Sequence, residues 1–252
     1  MPKTGLPRIG GTATLGGSLM NPVTVVVLSK YNEVFTPFWE TVSKFEPLTP
    51  KILVRDGDAV FTNHLDSSWT VIQGPEKFSM AGNGNLGLRS VPSNCDTIYC
   101  GDDVRFLGPT TKILQEQAYS DPIIGILTPR IIGRGSPQQI DPRHNLMTVK
   151  PIEMWFPCVF IKREVFDKIG YLDEEFNEFG SDDYDYCLRA VEAGYRLAVT
   201  TQVSVEHEAA PNGGPTTFAR TGDEWKKQQR AAYQKAQKKH PKGTIPWWQG
   251  RR

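Results

Sequence analysis

Thr97-Ile-Tyr-Cys-Gly-Asp-Asp-Val-Arg-Phe106 runs from four strand-forming residues straight into a glycine and two adjacent carboxylates. The same punctuation recurs upstream. Val23-Thr-Val-Val-Val-Leu28 is a β-branched run with no polar face, which predicts a strand buried on both sides, and it stops at Ser29. Lys51-Ile-Leu-Val54 stops at Arg55-Asp56-Gly57-Asp58, and Trp69-Thr-Val-Ile72 stops at Gln73-Gly74-Pro75. Between these runs, Phe35, Phe38, Trp39 and Phe45 recur at helical spacing. Asn83 to Val91 predicts a short helix opened by a Gly/Asn-rich turn, and Pro109 heads a helix reaching Tyr119. Strands alternating with helices predict an α/β fold on a mostly parallel sheet flanked by helices. Ligands of such sheets sit outside the carboxyl ends of the strands, so Ser29, Asp56, Gly74 and Asp102-Asp103 are predicted to line one nucleotide-sized crevice.

Further along, Ile123 to Leu127 and Trp155 to Ile161 read as strands, and residues 129–151, rich in Gly, Pro and polar residues, read as a mobile loop. Helices are predicted near 163–169 and 182–193, short strands over Arg196 to Thr200 and Val203 to Val205, and a helix from Asp223 to Lys239 that Pro241 stops. The predicted organisation is a flexible leader over 1–20, one domain over 21–210 and a basic helical tail over 211–252. A length of 252 residues suffices for such a domain. The 29 lysines and arginines nearly cancel 28 aspartates and glutamates, so bulk charge gives no argument for nucleic acid. The balance hides an acidic stretch, Asp173 to Asp185, and a basic one, Trp225 to Arg252. No run approaches the roughly 18 apolar residues of a membrane span, and the N-terminus lacks the order of a secretory signal. Cys95, Cys100, Cys158 and Cys187 are scattered without a CxxC pair, which argues against zinc and for a reducing, cytoplasmic setting.

Three acidic or basic clusters carry chemistry. Adjacent carboxylates at a strand end, Asp102-Asp103, can hold a hard cation through oxygen, though Gly-Asp is also ordinary turn chemistry. Asp182, Asp183 and Asp185 open an amphipathic helix after Gly180-Ser181. A helix dipole explains one or two acids there, and a third leaves a carboxylate for accepting a hydroxyl proton. His207, in Val203-Ser-Val-Glu-His-Glu208, follows a strand and reads either as a metal ligand or as a surface histidine.

In this order, the motifs resemble glycosyltransferase family 2 over roughly residues 22 to 210, which implies the GT-A fold, a Rossmann-like mixed sheet. The resemblance implies an inverting transfer from a nucleotide-sugar, with UDP-sugar as the default donor and Mn²⁺ or Mg²⁺ as cofactor. Val25-Val-Val-Leu-Ser-Lys-Tyr-Asn-Glu33 is similar to the opening strand and its nucleotide-contacting turn, which implies donor contacts from Ser29, Tyr31 and Glu33. Asp56 matches the aspartate that holds the donor base, and Asn83-Gly-Asn-Leu-Gly-Leu-Arg89 resembles the donor-side Asn-x-Gly segment, implying Asn85 and Arg89. Asp102 and Asp103 fall on the Asp-x-Asp motif. Its first acid is Gly101 here, which implies Asp103 as metal ligand with His207 and places Asp102 on the donor's sugar or ribose. Pro157 to Phe176 follows the acceptor-side signature; Asp182-Asp183 replaces its Glu-Asp pair, which implies Asp183 as base and Asp182 beside the acceptor. Arg55 stands where many members carry another aspartate.

Trp155 reads as an acceptor-stacking ring or as core. Arg130, Arg134 and Arg143 read as diphosphate contacts or as a solvated loop, and Lys226, Lys227, Arg230, Lys235, Lys238 and Lys239 as a solvated basic face. The acceptor is a glycan, a protein or a small molecule. Two alternatives stand beside the transferase. A sugar-nucleotide nucleotidyltransferase would need a glycine-rich basic loop that the glycines at 10–17 do not supply, and an inactive relative would have no need of Asp103, Asp183 and His207 together.

Overall fold

The computed structural model describes residues 14–15, 18–57, 60–75, 79–133, 136–176, 181–207 and 223–244. Strands β1 (Thr14–Leu15) and β2 (Ser18–Leu19) pair antiparallel, Met20 is buried, and residues 1–13 and 16–17 of the expected leader lie outside the described residues. The sheet proper holds β3 (Val23–Ser29), β4 (Lys51–Arg55), β5 (Trp69–Gln73), β6 (Asp96–Gly101), β7 (Val104–Phe106), β8 (Ile124–Ile132), β9 (Leu146–Thr148), β10 (Cys158–Ile161) and β11 (Arg196–His207). The strand order is β5-β4-β3-β6-β10-β8-β11-β7, with β9 on β11. From β5 to β6 every neighbour is parallel, as are β8 and β11; β10, β7 and β9 run antiparallel. The ends of β3, β4 and β6 therefore share one edge, as the sequence predicts.

The helices are α1 (Asn32–Phe45), α2 (Met80–Arg89), α3 (Thr111–Tyr119), α4 (Arg163–Ile169), α5 (Asp182–Glu192) and α6 (Asp223–Lys239). Alternation along the strands divides the core between the two sheet faces. Val25 and Val27 pack with Phe35, Phe38 and Leu114 from α1 and α3. Val26 and Leu28 pack with Leu88, Phe166, Tyr186 and Cys187 from α2, α4 and α5. Glu46, just past α1, is buried with Oε1 accepting the N–H groups of Thr110 and Thr111, which anchors the start of α3.

Three elements depart from the sequence expectation. The α2 helix begins at Met80 rather than Asn83, with the Ser79 side chain accepting the Gly82 N–H, and it runs through the glycines expected to form a turn. A Cβ on Gly87 would stand 2.5 Å from Val26 Cγ1 and 2.9 Å from Val54 Cγ2. Glycine thus lets α2 lie directly on the sheet, and that packing outweighs its helix propensity cost of about 1 kcal/mol. The expected loop over 129–151 contains the end of β8 and the whole of β9, and a 3-10 turn, Pro151–Glu153, begins at its last residue. The two short strands expected after Arg196 are one strand, β11, with a register shift between Thr200 and Ser204.

Candidate active site

The register of β11 on β7 pairs His207 with Val104, which carries the imidazole to the turn after β6. There His207 Nε2 lies 3.2 Å from Asp103 Oδ2. His207 Nδ1 is buried with no hydrogen-bond partner among the described residues. A Cβ on Gly101 would come within 2.8 Å of Asp103 Oδ1, so glycine at the place of the motif's first acid gives Asp103 room to fold back over the strand end. Asp102 points the other way and accepts a 2.5 Å hydrogen bond from Ser29 Oγ. Burial raises its pKa to about 7 against the opposing Ser29 bond, with the Asp103 charge adding to the rise. Arg105 clasps the turn from below, donating to the Asp102 and Val104 carbonyls.

Next along the edge, Asp56 is buried at the end of β4. Asn83 Nδ2 donates to its Oδ1 at 3.3 Å, and Lys30 Nζ stands 3.9 Å from its Oδ2. A Cβ on Gly74 would meet the Arg55 carbonyl at 2.7 Å and Asn83 Nδ2 at 3.1 Å, so the end of β5 also closes on this corner. Arg55 carries a buried Nε without a hydrogen-bond partner among the described residues. Tyr31 precedes α1 with its ring 5.9 Å from Lys30 Nζ, and Glu33 is exposed in the first turn of α1.

The acids of α5 reach the same edge through backbone. The Tyr184 N–H donates to Asp183 Oδ1 at 2.7 Å, and the Phe156 N–H faces the Asp183 carboxylate and opposes the rise in its pKa. One residue on, the Pro157 carbonyl accepts the Gly101 N–H at 2.9 Å. The dipeptide Phe156-Pro157 thus runs between the first turn of α5 and the residue preceding Asp102-Asp103. Burial pushes Asp182 and Asp183 above the usual carboxylate range, and for Asp182 the neighbouring Asp183 charge adds to it. Ser181 before them holds a left-handed φ of 70°, a strained turn that aims the helix start.

Asn85 and Arg89 turn away from this edge. Asn85 is wholly buried, donates to the Leu172 carbonyl and Glu174 and accepts the Leu172 N–H, while Arg89 reaches Glu174 and the Tyr171 ring. Both hold the 171–174 segment. Trp155 is half-buried, its carbonyl accepting from Gln138 Nε2. Arg130 donates to the Ile140 carbonyl and Arg143 pairs with Asp141; Arg134 lies outside the described residues. Sequence reasoning did not single out Tyr99. Its buried hydroxyl has no hydrogen-bond partner among the described residues, and Asp182 and Asp183 are the first charges to raise its pKa beyond what burial does. A tyrosine three residues before Asp102 was the available signal, since a buried O–H needs a partner.

By sequence, no model of a known protein family matches the chain, and no curated protein matches it. Solved structures do. GalNAc-T7 with UDP, GalNAc and Mn²⁺ aligns over 85% of this chain at a TM-score of 0.63 and 14% identity. The mannosyltransferase PcManGT from Pyrobaculum calidifontis, in complex with GDP-Man and Mn²⁺, aligns over 89% at 0.58 and 15% identity. The fold is the GT-A fold. The chain spans 48% of the length of the first structure and 72% of the second.

On that fold, the acidic turn after β6 and His207 from β11 make a cation site testable by geometry. Among the described residues no three His, Cys, Asp or Glu side chains gather as a metal cage. A closed cage is not required: Mg²⁺-type ions are held by one or two protein ligands together with substrate phosphates. The 3.2 Å between Asp103 Oδ2 and His207 Nε2 matches the roughly 3 Å edge between adjacent ligands at bond lengths of about 2.1 Å. The residues present fit a divalent cation.

Proposed function

We propose that this chain is a metal-dependent, inverting glycosyltransferase that moves a sugar from a nucleotide-sugar, with UDP-sugar favoured, to the hydroxyl of a glycan, protein or small-molecule acceptor. The observation that carries the reading is the place of Phe156-Pro157, whose Pro157 carbonyl accepts the Gly101 N–H and whose Phe156 N–H faces the Asp183 carboxylate, which supports a proton acceptor beside the acidic turn. Asp56 supports a base-binding role. Its carboxylate is oriented by Asn83, and uracil, thymine and guanine each offer a ring N–H to such an acceptor while adenine and cytosine do not. The two similar structures hold UDP and GDP-Man with Mn²⁺, in keeping with that choice of bases. The four free cysteines fit a cytoplasmic setting, and among the described residues no helix is long and apolar enough to cross a membrane.

In the proposed reaction Asp56 holds the base, and Ser29 keeps Asp102 turned toward the donor's ribose or sugar. Asp103 and His207 hold the cation, which supplies charge neutralisation for the leaving nucleoside diphosphate. The acceptor oxygen attacks the anomeric carbon from the face opposite the diphosphate. The new C–O bond forms as the bond to the phosphate oxygen breaks, and the hydroxyl proton passes to the Asp183 carboxylate. One displacement inverts the anomeric configuration.

A thermal-shift screen of UDP-, GDP- and dTDP-sugars, each with Mn²⁺ and with EDTA, tests this. Ligand at a hundredfold excess over its Kd stabilises by about 2.7 kcal/mol, a rise of roughly 5–10 °C for a chain of this size. UDP-sugars are expected to give that rise with Mn²⁺ and lose it with EDTA. A shift with GDP-sugars alone would correct the base, and no shift with any saturating nucleotide-sugar would overturn the reading.

A further inference from the structure

The basic C-terminal helix lies beyond the stretch that resembles glycosyltransferases, yet it packs against α5, the helix that opens with Asp182 and Asp183. Ala232, Tyr233 and Ala236 of α6 meet Phe176, Tyr184 and Leu188. The Tyr233 and Tyr184 rings contact edge to face at 5.1 Å, and Gln237 Nε2 donates to the Tyr184 hydroxyl at 3.0 Å. Polar contacts anchor the helix end. His240 lies between Asp185 at 3.1 Å and Glu192 at 3.0 Å, Lys239 pairs with Asp173, and Lys235 reaches Glu175 at 3.3 Å.

This docking sets Tyr233 against the residue that follows Asp183. Tyr184 is 5% exposed and has no face to offer a ligand, whereas Tyr233 is only half-buried. Burial first, then the charge of Asp183, raises the Tyr233 pKa to about 12. Trp155, one residue before the N–H that faces Asp183, supplies a second half-buried aromatic. A proton acceptor attended by two accessible aromatic rings suits a ligand with hydroxyls at its rim and an apolar C–H face, which describes a pyranose. We infer that α6 forms the acceptor-side wall of the site and that Tyr233 is a specificity-determining residue on it, packing against the ring of a pyranoside acceptor while one acceptor hydroxyl faces Asp183. The inference rests on the transferase reading above.

The test measures transfer from the donor found by the nucleotide screen to methyl glycosides of glucose, galactose, mannose, N-acetylglucosamine and N-acetylgalactosamine. Wild type is expected to glycosylate at least one. Tyr233→Ala is expected to raise the KM for that acceptor about tenfold or more, with kcat and donor KM within about threefold, and Tyr233→Phe, which keeps the ring, to stay within about threefold in all three. Melting temperature and metal-dependent nucleotide binding, read on both variants, show whether the fold and donor site are intact. An unchanged acceptor KM in Tyr233→Ala, an equal loss in Tyr233→Phe, or a loss shared with donor KM would each overturn the inference. Donor binding without transfer to any glycoside overturns it while leaving the transferase reading in place. Absence of donor binding removes the reading and the inference together.

Discussion

Replacing Asp183 by Asn removes a proton acceptor while nearly preserving shape. General-base catalysis contributes about 10²- to 10⁴-fold, so kcat should fall by that factor, equivalent to roughly 3–5 kcal/mol in the barrier. The fold should tolerate the change for reasons the contacts supply. The carboxamide oxygen can keep the 2.7 Å bond from the Tyr184 N–H, but its NH₂ end sets a donor where the carboxylate offered the Phe156 N–H an acceptor, at a cost of about 1–3 kcal/mol. Against this, burial holds the Asp183 pKa above its ordinary value, so its ionised form opposes folding at neutral pH and the amide relieves that opposition. The two effects are of similar size, and the melting temperature at pH 7.5 should change little. At pH 5 the wild-type pair retains its proton, the relief disappears, and the variant should melt below wild type. Transfer is measured by product chromatography, and binding of the nucleoside diphosphate with Mn²⁺ by calorimetry, where the variant should stay within about twofold. Turnover within tenfold of wild type would remove Asp183 as the base. Loss of nucleotide binding in step with turnover would move it to the donor side.

The same carboxylates set a pH dependence. Burial raises the pair to about 6 and about 7, so kcat/KM should fall as pH drops through that window rather than near 4, and the residual activity of Asp183→Asn should lack this limb. Stability should run the other way: the pair's contribution is full below the unfolded value near 4 and is lost as pH rises through 6–7, which chemical denaturation across pH will show. Asp103→Asn and His207→Ala should each weaken Mn²⁺ binding at least tenfold in the presence of nucleoside diphosphate, read from the electron-paramagnetic signal of free Mn²⁺; unchanged affinity would take that residue out of the cation site. Asn85→Ala should cost about 2–4 kcal/mol, since it strands the buried N–H and carbonyl of Leu172, yet leave nucleotide affinity within about twofold; a matching loss of affinity would return Asn85 to the donor site.

What was legible in the sequence is what local pattern encodes. Val23–Ser29 buries every residue, as a β-branched run with no polar face requires, and α5 begins at the acidic residue where the pattern turns amphipathic. Illegible were features decided by partners far along the chain. The Gly/Asn-rich opening of α2 reads as a turn, whereas the helix begins at Met80 and lies on the sheet with Val26 and Val54 pressed against Gly87. Pro129 argues for a loop, but it lies in β8 opposite Thr200, where β11 shifts register and relaxes the ladder. Asn85 sits in a donor-like motif, and only the Leu172 backbone, 87 residues away, shows where its hydrogen bonds go.

The site divides along the same line. Each acidic cluster is visible as a cluster, because carboxylates at strand and helix ends are local events, but their convergence is a matter of register and backbone bridges. His207 reaches Asp103 because β11 pairs antiparallel with a three-residue strand, and the Phe156-Pro157 peptide lies between Asp183 and Gly101. The charge asymmetry is the clearest case. An acidic stretch and a basic tail read separately as two surfaces, whereas in the fold they are two sides of one contact. Exposed pairs such as Lys235 with Glu175 contribute at most about 1 kcal/mol each, so they guide the helix more than they hold it. Asp185 is different. It is fully buried, and Arg189 and His240 are the groups that face its charge, so leaving it unpaired would cost several kcal/mol. His240, two turns beyond Tyr233 in sequence, thus brings the end of α6 to the first turn of α5. A helix that composition marks only as basic is held in register by one buried aspartate on the element that carries the proposed base.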